Sequence, residues 1–104
     1  MIIVLGSLIA APGKLQDALH ISQAHVLRAR RVVGCIAHGV HIDAENPDRL
    51  VFVEQWANQA SIWDHVQSPQ TRAFVKALLP CAAHISSTAF FEAVAIQRPA
   101  NNIP

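Results

Sequence analysis

The sequence has no tyrosine, only four glycines and two cysteines, and charged side chains make up 14% of its 104 residues. The glycines form neither a phosphate-binding loop nor a dinucleotide fingerprint, so nucleotide sites of these kinds are not expected. Cys35 and Cys81 are far apart and form no C-x-x-C pair, which argues against a disulfide framework and a cysteine zinc site. The net charge is +1 and no basic run exceeds Arg30-Arg31, so the sequence carries no footprint for nucleic acid.

The acidic residues and serines argue against further classes of enzyme. Glu54, Asp64 and Glu92 are scattered, so no carboxylate pair supports glycosidase or phosphoryl-transfer chemistry. No serine lies in a G-x-S-x-G turn, so the sequence gives no support for a hydrolase of that type.

Six histidines raise the question of a metal site, but their local spacing does not favour one. His38 and His41 lie three residues apart in a predicted strand and therefore point to opposite faces. His20 and His25 lie about 140° apart around a predicted helix. Because neither pair can chelate alone, we predict no metal, and because the common cofactor-binding motifs are absent from the sequence we predict no other cofactor.

The length of the chain fits one domain, which we place at residues 1–98, followed by a flexible C-terminal tail at 99–104. The apolar start, Met1 to Ala11, lacks a basic leading segment and is too short to span a bilayer. We interpret it as a strand, expect no membrane association, and expect a cytoplasmic protein.

Hydropathy periods and turn signals predict the element order β-α-β-β-α-β, with the second helical element in two pieces. The predicted elements are strands over 2–10, 33–43, 50–57 and about 85–97, and helices over 15–30, 58–66 and from Pro69 to Pro80. Asn58 is the expected N-cap of the second helix, and Ser68-Pro69 is the expected start of the third. This order is typical of an α+β, ferredoxin-like fold with a four-stranded antiparallel sheet and helices on one face.

The first and third predicted strands are apolar on both faces, although a half-solvated antiparallel sheet should alternate apolar with polar residues. Helices can cover only one face of the sheet, and 52% of the chain is hydrophobic. We therefore expect a homodimer in which two sheets pack face to face. His41, placed with Cys35 and Ala37 on the strand face opposite His38, is expected at this interface.

The segment EQWANQASIWDHVQSP, residues 54–69, contains both tryptophans and one of the histidines. His65 lies at the edge of an apolar helical stripe, a usable position for a base in a pocket. The alternative is that His65 is a satisfied, partly buried histidine and that Trp56 and Trp63 fill the core. His38, on an otherwise apolar strand face, is likewise either a pocket residue or a core histidine.

Five short motifs occur in order along the chain: PGK at 12–14, GC at 34–35, NPDR at 46–49, E-x-W at 54–56 and H-x-x-S-P at 65–69. This ordered set, over about residues 2–95, resembles the antibiotic biosynthesis monooxygenase family. The resemblance implies a ferredoxin-like homodimer, a dimeric α+β barrel, with a pocket between the sheet and the helices of each subunit. Members of the family include oxygenases that act on anthrones and quinols without metal or flavin.

By this resemblance we expect a cofactor-independent monooxygenase that oxidises a hydroxylated aromatic, such as a quinol, an anthrone or a related polyketide, with molecular oxygen. His65 is then the expected base or substrate-orienting group, because an imidazole with a pKa near 6.5 can accept a proton at neutral pH. The residues expected to line the pocket around this small apolar ligand are His38, Phe52, Trp56, Trp63 and Phe74.

The chain also departs from the family pattern. Val32-Val33 replaces the usual Glu-Pro before Gly-Cys, and Gln70 replaces a histidine often found after Ser-Pro. The helix after Ser-Pro contains no histidine, which disfavours haem degradation. The alternative function is a non-catalytic dimeric module of the same fold that binds a small molecule or serves in a stress response.

Overall fold

The computed structural model describes residues 1–100 of the chain. In chain order its elements are β1 (Ile2–Ala10), α1 (Leu15–Ala29), β2 (Cys35–Ile42), β3 (Arg49–Trp56), α2 (Gln59–Gln67), α3 (Pro69–Leu78), a 3-10 turn (Leu79–Cys81), β4 (Ala82–Ile85) and β5 (Ala89–Glu92). The predicted α+β, ferredoxin-like order is confirmed. None of the helices in this range is both long enough and apolar enough to cross a membrane.

The strands form one antiparallel sheet in the order β2-β3-β1-β4, and β5 also pairs with β1. β4 lies beside the end of β1, where Leu8 pairs with Ile85, and β5 lies beside its start, where Ile2 pairs with Glu92. The two short strands therefore share the fourth position of the sheet, end to end. The sheet is four strands wide, as predicted, with its outer strand in two pieces.

The prediction of a single long strand over 85–97 is wrong. The strand is interrupted at 86–88, where the backbone N–H of Ser86 donates to the carbonyl of Ser7 and the Ser86 hydroxyl accepts from the Ser7 N–H, each at 2.9 Å. A serine side chain that bonds to the neighbouring backbone replaces part of the regular ladder. No strand follows Glu92 within the described residues, and positions 101–104 of the predicted tail lie outside them.

The helices cover the face of the sheet that carries the even-numbered residues of β1 and β3. The buried side chains of this layer form two clusters, one of Leu8, Ala10, Ala18, Leu50, Leu78 and Cys81, and one of Ile2, Val4, Trp56 and Ile62. In β3 the two clusters are separated by Phe52 and Glu54. The candidate site lies at this break in the apolar core.

The predicted starts of the second and third helices are confirmed. The Asn58 side chain accepts a hydrogen bond from the N–H of Ser61 at 2.9 Å and begins α2. The hydroxyl of Ser68 accepts from the N–H of Thr71 at 3.2 Å, and Pro69 occupies the first turn of α3. Because Ser68 is the only residue between the two helices, the chain turns sharply there, and α2 lies with Ile62 and His65 buried.

A bulge in β2 changes which of its side chains face the helices. Cys35 pairs with Trp56 and Ala37 pairs with Gln55, so Ile36 is an extra residue in the strand. Cys35 consequently packs against the cluster that contains Trp56, whereas Ile36 is exposed. The prediction that Cys35 shares the outer face with Ala37 and His41 is wrong, because a one-residue insertion reverses the alternation before it.

Candidate active site

Three histidines from three different elements meet beneath the helices: His25 from α1, His38 from β2 and His65 from α2. Their exposed fractions are 4%, 4% and 6%. The ring centroids lie 5.6 Å apart for His25 and His38, 5.3 Å for His25 and His65, and 5.9 Å for His38 and His65. A cluster of buried imidazoles is unusual, because histidine is only intermediate in its tendency to be buried.

Local structure aims each of these rings inward. His25 continues the buried stripe of α1 that contains Ala18, Ser22 and Ala29, at helical spacing. Side chains alternate between the two faces of β2, and His38 lies on the face that the helices cover. His65 lies one turn after the buried Ile62 in α2. The guanidinium Nε of Arg30 donates to the carbonyl oxygen of His38 at 2.9 Å and thereby ties the end of α1 to β2.

Glu54 provides a carboxylate next to the histidines. It is the cross-strand partner of His38, and its Oε1 lies 3.2 Å from His38 Nε2. The same oxygen accepts a hydrogen bond from the indole Nε1 of Trp56 at 2.9 Å. Burial raises the pKa of Glu54, but the contacts with His38 and Trp56 outweigh it and hold the pKa below its ordinary value. Glu54 is therefore a carboxylate at neutral pH, and it favours the tautomer of His38 that carries its proton on Nε2.

The other two imidazoles are kept neutral. Burial, followed by the neighbouring His38 and His65, lowers the pKa of His25 from 6.5 to about 4. Burial also lowers the pKa of His65, with Glu54 acting in the opposite direction. Neutral imidazoles retain one nitrogen with a free lone pair, which can accept a proton or bind a metal ion.

Aromatic rings hold the histidines in place. His25 stacks on Phe74 of α3, with centroids 3.9 Å apart and planes only 4° from parallel. His65 stacks on Trp56, with centroids 4.6 Å apart. The rings therefore have little freedom to rotate out of the cluster.

A cavity of about 140 Å³ opens beside the cluster, between β1, β3 and α3. His25, His38 and Glu54 line one part of it, and its apolar wall includes Leu8, Phe52 and Phe74. The hydroxyl-bearing side chains of Ser7, Ser86 and Thr88 also line it. This is an apolar hollow with an imidazole–carboxylate pair at its wall, an arrangement suited to removing a proton from a bound ring.

The structure separates the predicted site residues into two groups. His38, Phe52 and Phe74 line the cavity. His65 and the fully buried Trp56 lie in the next layer and are not among its lining residues. Trp63 lies elsewhere, with its ring against Phe90 and 40% of its surface exposed. The roles assigned to these residues remain predictions.

Two residues of the site, His25 and Glu54, were missed by sequence reasoning. His25 was considered only with His20, its nearest histidine in the sequence, although its position in the buried stripe of α1 was a usable signal. Glu54 was set aside because it has no neighbouring carboxylate. Its partner is instead His38, across the hairpin of β2 and β3.

Comparison with known proteins decides the family. The family model described as antibiotic biosynthesis monooxygenase matches residues 1–77. The chain belongs to the antibiotic biosynthesis monooxygenase family. The resemblance carried by the five sequence motifs is thereby confirmed.

Solved structures of other members of this fold are similar over nearly the whole chain. A protein of Deinococcus radiodurans, named as a candidate antibiotic biosynthesis monooxygenase, is 20% identical with a TM-score of 0.89, covering 97% of this chain and 100% of its own. A conserved protein of Methanosarcina mazei Go1 is 23% identical with a TM-score of 0.82, covering 86% of this chain and 89% of its own. At these identities the likeness establishes the fold alone.

A sequence relative is an uncharacterised protein of Synechocystis sp. that is 29% identical over 75 residues. The match covers 72% of this chain and 51% of that protein. The chain thus spans about half the length of this curated relative.

Proposed function

We propose that this antibiotic biosynthesis monooxygenase family member oxidises a hydroxylated aromatic of quinol type with molecular oxygen, using no metal or flavin for the reaction. The observation that carries the proposal is the position of His38, which lines an apolar cavity and has its Nε2 3.2 Å from Oε1 of Glu54, a carboxylate that lines the same cavity. The residues of the site supply a base, a partner for the base and a dry compartment for an aromatic ring.

The reaction needs a base because of the electronic structure of oxygen. Ground-state oxygen is a triplet and reacts slowly with closed-shell molecules, but a phenolate is electron-rich enough to give it one electron. For a hydroquinone the products are a hydroxyquinone and water: one oxygen atom enters a ring C–H bond and the other leaves as water. The substrate supplies all four electrons, so no external reductant is required.

His38 is the residue best placed to remove the phenolic proton. With its own proton directed toward Glu54, His38 keeps its remaining lone pair on Nδ1, a buried nitrogen without a hydrogen-bond partner that a phenol in the cavity would have to contact to give up its proton. The Glu54 carboxylate then stabilises the imidazolium that forms, as a carboxylate does behind a catalytic histidine in other enzymes. The apolar wall of Phe52 and Phe74 keeps water away from the phenolate and strengthens these interactions.

The size of the cavity favours a small substrate. A cavity of about 150 Å³ can accommodate benzene, and the cavity here measures about 140 Å³. A single hydroxylated ring is therefore close to the size of the hollow, whereas a three-ring anthrone would require it to widen much further. We accordingly favour a quinol over an anthrone.

Oxygen uptake tests the proposal. With the purified, metal-free protein and a panel of hydroquinones, naphthols and anthrones, we expect uptake above the spontaneous rate for single-ring quinols, with one oxygen molecule consumed per substrate and no peroxide released. Mass spectrometry after reaction under ¹⁸O₂ should find one labelled atom in the product. Binding of the same quinols with no uptake above background would instead support the non-catalytic binding module.

We also propose that the outer face of the sheet forms a homodimer. Leu5 of β1 and Phe91 of β5 lie on the face opposite the helices and are 42% and 50% exposed in the single chain. An apolar sheet face of this kind is typical of a surface covered by a partner, and a second copy related by a two-fold axis is the simplest one.

Replacing Leu5 by glutamate tests this arrangement. A charge placed without a partner in the buried interface should weaken the dimer by about 3 kcal/mol or more, so light scattering should find a dimer for the unaltered protein and a monomer for Leu5→Glu. Leu27→Glu is the matched control, since Leu27 is an exposed leucine on the helical side. A monomeric unaltered protein at micromolar concentration would overturn the proposal.

A further inference from the structure

Two of the three buried histidines have ring nitrogens that the fold leaves without hydrogen-bond partners. Among residues 1–100, Nδ1 of His25 and Nδ1 of His38 are buried and make no hydrogen bond, and Nε2 of His38 has only its 3.2 Å contact with the Glu54 carboxylate. An unsatisfied buried polar atom costs about 1–3 kcal/mol. A cation that accepts lone pairs from several of these nitrogens at once would remove this cost.

We infer that His25, His38 and His65 form a binding site for a divalent transition-metal ion of the zinc type. One ligating nitrogen from each ring lies within 4.8 Å of the other two. Such a triangle has a centre within about 2.8 Å of every nitrogen, and zinc binds histidine nitrogen at about 2.0–2.1 Å. Each nitrogen therefore needs to move toward this centre by less than about 1 Å to reach the zinc–nitrogen distance.

The chemistry of the ligand set selects the class of metal. Three imidazoles with no thiolate suit zinc, cobalt, nickel or copper, whereas magnesium and calcium prefer oxygen ligands. Three histidines also leave a fourth coordination position for water or another small ligand, and the adjoining cavity provides space for it.

Glu54 completes the arrangement as a positioning residue. A carboxylate that accepts the second ring N–H of a ligating histidine fixes the tautomer and makes the other nitrogen a better ligand. Here Glu54 faces Nε2 of His38, so Nδ1 is the nitrogen left for the metal. Trp56 in turn donates to Glu54 at 2.9 Å and holds the carboxylate in position.

This site goes beyond the proposed oxygenase activity and can be tested separately from it. A metal ion would occupy the same lone pair of His38 that the proposed base uses, so zinc should inhibit the oxygenation. Metal binding itself can be measured without any substrate. Failure of either proposal therefore leaves the other standing.

The test uses protein freed of metal with EDTA and then titrated with Zn²⁺ by calorimetry and with Co²⁺ by visible absorption. We expect one ion per chain, the strong visible bands of tetrahedral Co²⁺, and a rise in melting temperature with either ion. His25→Phe, which retains a ring to stack on Phe74, should weaken binding by more than about 100-fold, and Glu54→Gln by about 10–100-fold. His20→Ala, an exposed histidine on the same helix, should bind as the unaltered protein does.

Two results would overturn the site. Unaltered protein that shows neither a calorimetric signal for Zn²⁺ nor tetrahedral Co²⁺ bands has no such site, whatever the variants do. Equal binding by the unaltered protein and His25→Phe, or loss of binding in His20→Ala alone, would locate the ion at surface histidines. If His25→Phe does not fold, Glu54→Gln and the Co²⁺ spectrum of the unaltered protein still decide the matter.

Discussion

Replacing His38 by glutamine is expected to lower the rate of quinol oxygenation by about 10²–10⁴-fold, the usual contribution of a positioned general base. Glutamine has a similar volume and polarity but cannot accept the phenolic proton. The loss should fall on kcat more than on KM, because the cavity wall of Phe52 and Phe74 that holds the ring is unchanged. Oxygen consumption under saturating quinol, in metal-free buffer, measures the effect.

His41→Gln is the matched control for this prediction. His41 lies in the same strand, three residues further along, and its side chain is exposed. Its replacement should leave the rate within about twofold of that of the unaltered protein, since it lies outside the cavity. Melting temperatures of both variants separate a loss of catalysis from a loss of folded protein.

His65→Gln distinguishes the two histidines that have been considered as the base. The sequence favoured His65, whereas His38 is the one that lines the cavity and has the carboxylate partner. If His65→Gln loses activity and His38→Gln retains it, the base is His65 and the role proposed for His38 is wrong. If both lose activity to the same extent, the imidazoles act as one unit.

The parts of the fold that could be predicted depend on residues close together in the chain. Asn58 and Ser68-Pro69 start helices because a side chain bonds to an N–H three residues later, a relation visible in any short window. Apolar periods give the order of elements, and known preferences for connecting them then leave few topologies. The ferredoxin-like arrangement followed from these local relations.

The errors in the fold arise where distant parts of the chain meet. The strand break at 86–88 depends on Ser86 bonding to Ser7, 79 residues away. The bulge at Ile36 depends on the pairing of β2 with β3 and leaves no mark in the composition of β2. In both places the local pattern alone favours a regular strand.

The candidate site was hard to predict for the same reason, because its residues are far apart in the sequence. His25, His38 and His65 are separated by 13 and 27 residues, so a search for ligands at short spacing cannot detect them. They meet because α1 and α2 pack on the same face of the sheet. Glu54 was more accessible to prediction, since the register of the β2–β3 hairpin places it opposite His38.

The neutral state of His25 makes the stability of the protein sensitive to acid. In the unfolded chain its pKa is the ordinary 6.5, whereas burial and the facing His38, His65 and Arg28 lower the folded pKa to about 4, against the opposing effect of Glu54. The unfolded state therefore binds more protons between these values. The contribution of His25 to stability is fully present above pH 6.5 and is lost as the pH falls to about 4.

We expect this loss to be large for a domain of this size. Linkage gives about 2 kcal/mol by pH 5 and on the order of 3 kcal/mol by pH 4, out of a typical stability of about 5–15 kcal/mol. Urea unfolding in the presence of EDTA at about pH 7.5 and pH 5 measures the change without a metal contribution. His25→Phe keeps the stack on Phe74 but has no proton to bind, so its stability should fall by about 2 kcal/mol less over the same interval. An equal fall in His25→Phe and in the unaltered protein would show that the acid sensitivity comes from other groups and that the buried imidazole of His25 already binds its proton in the folded state.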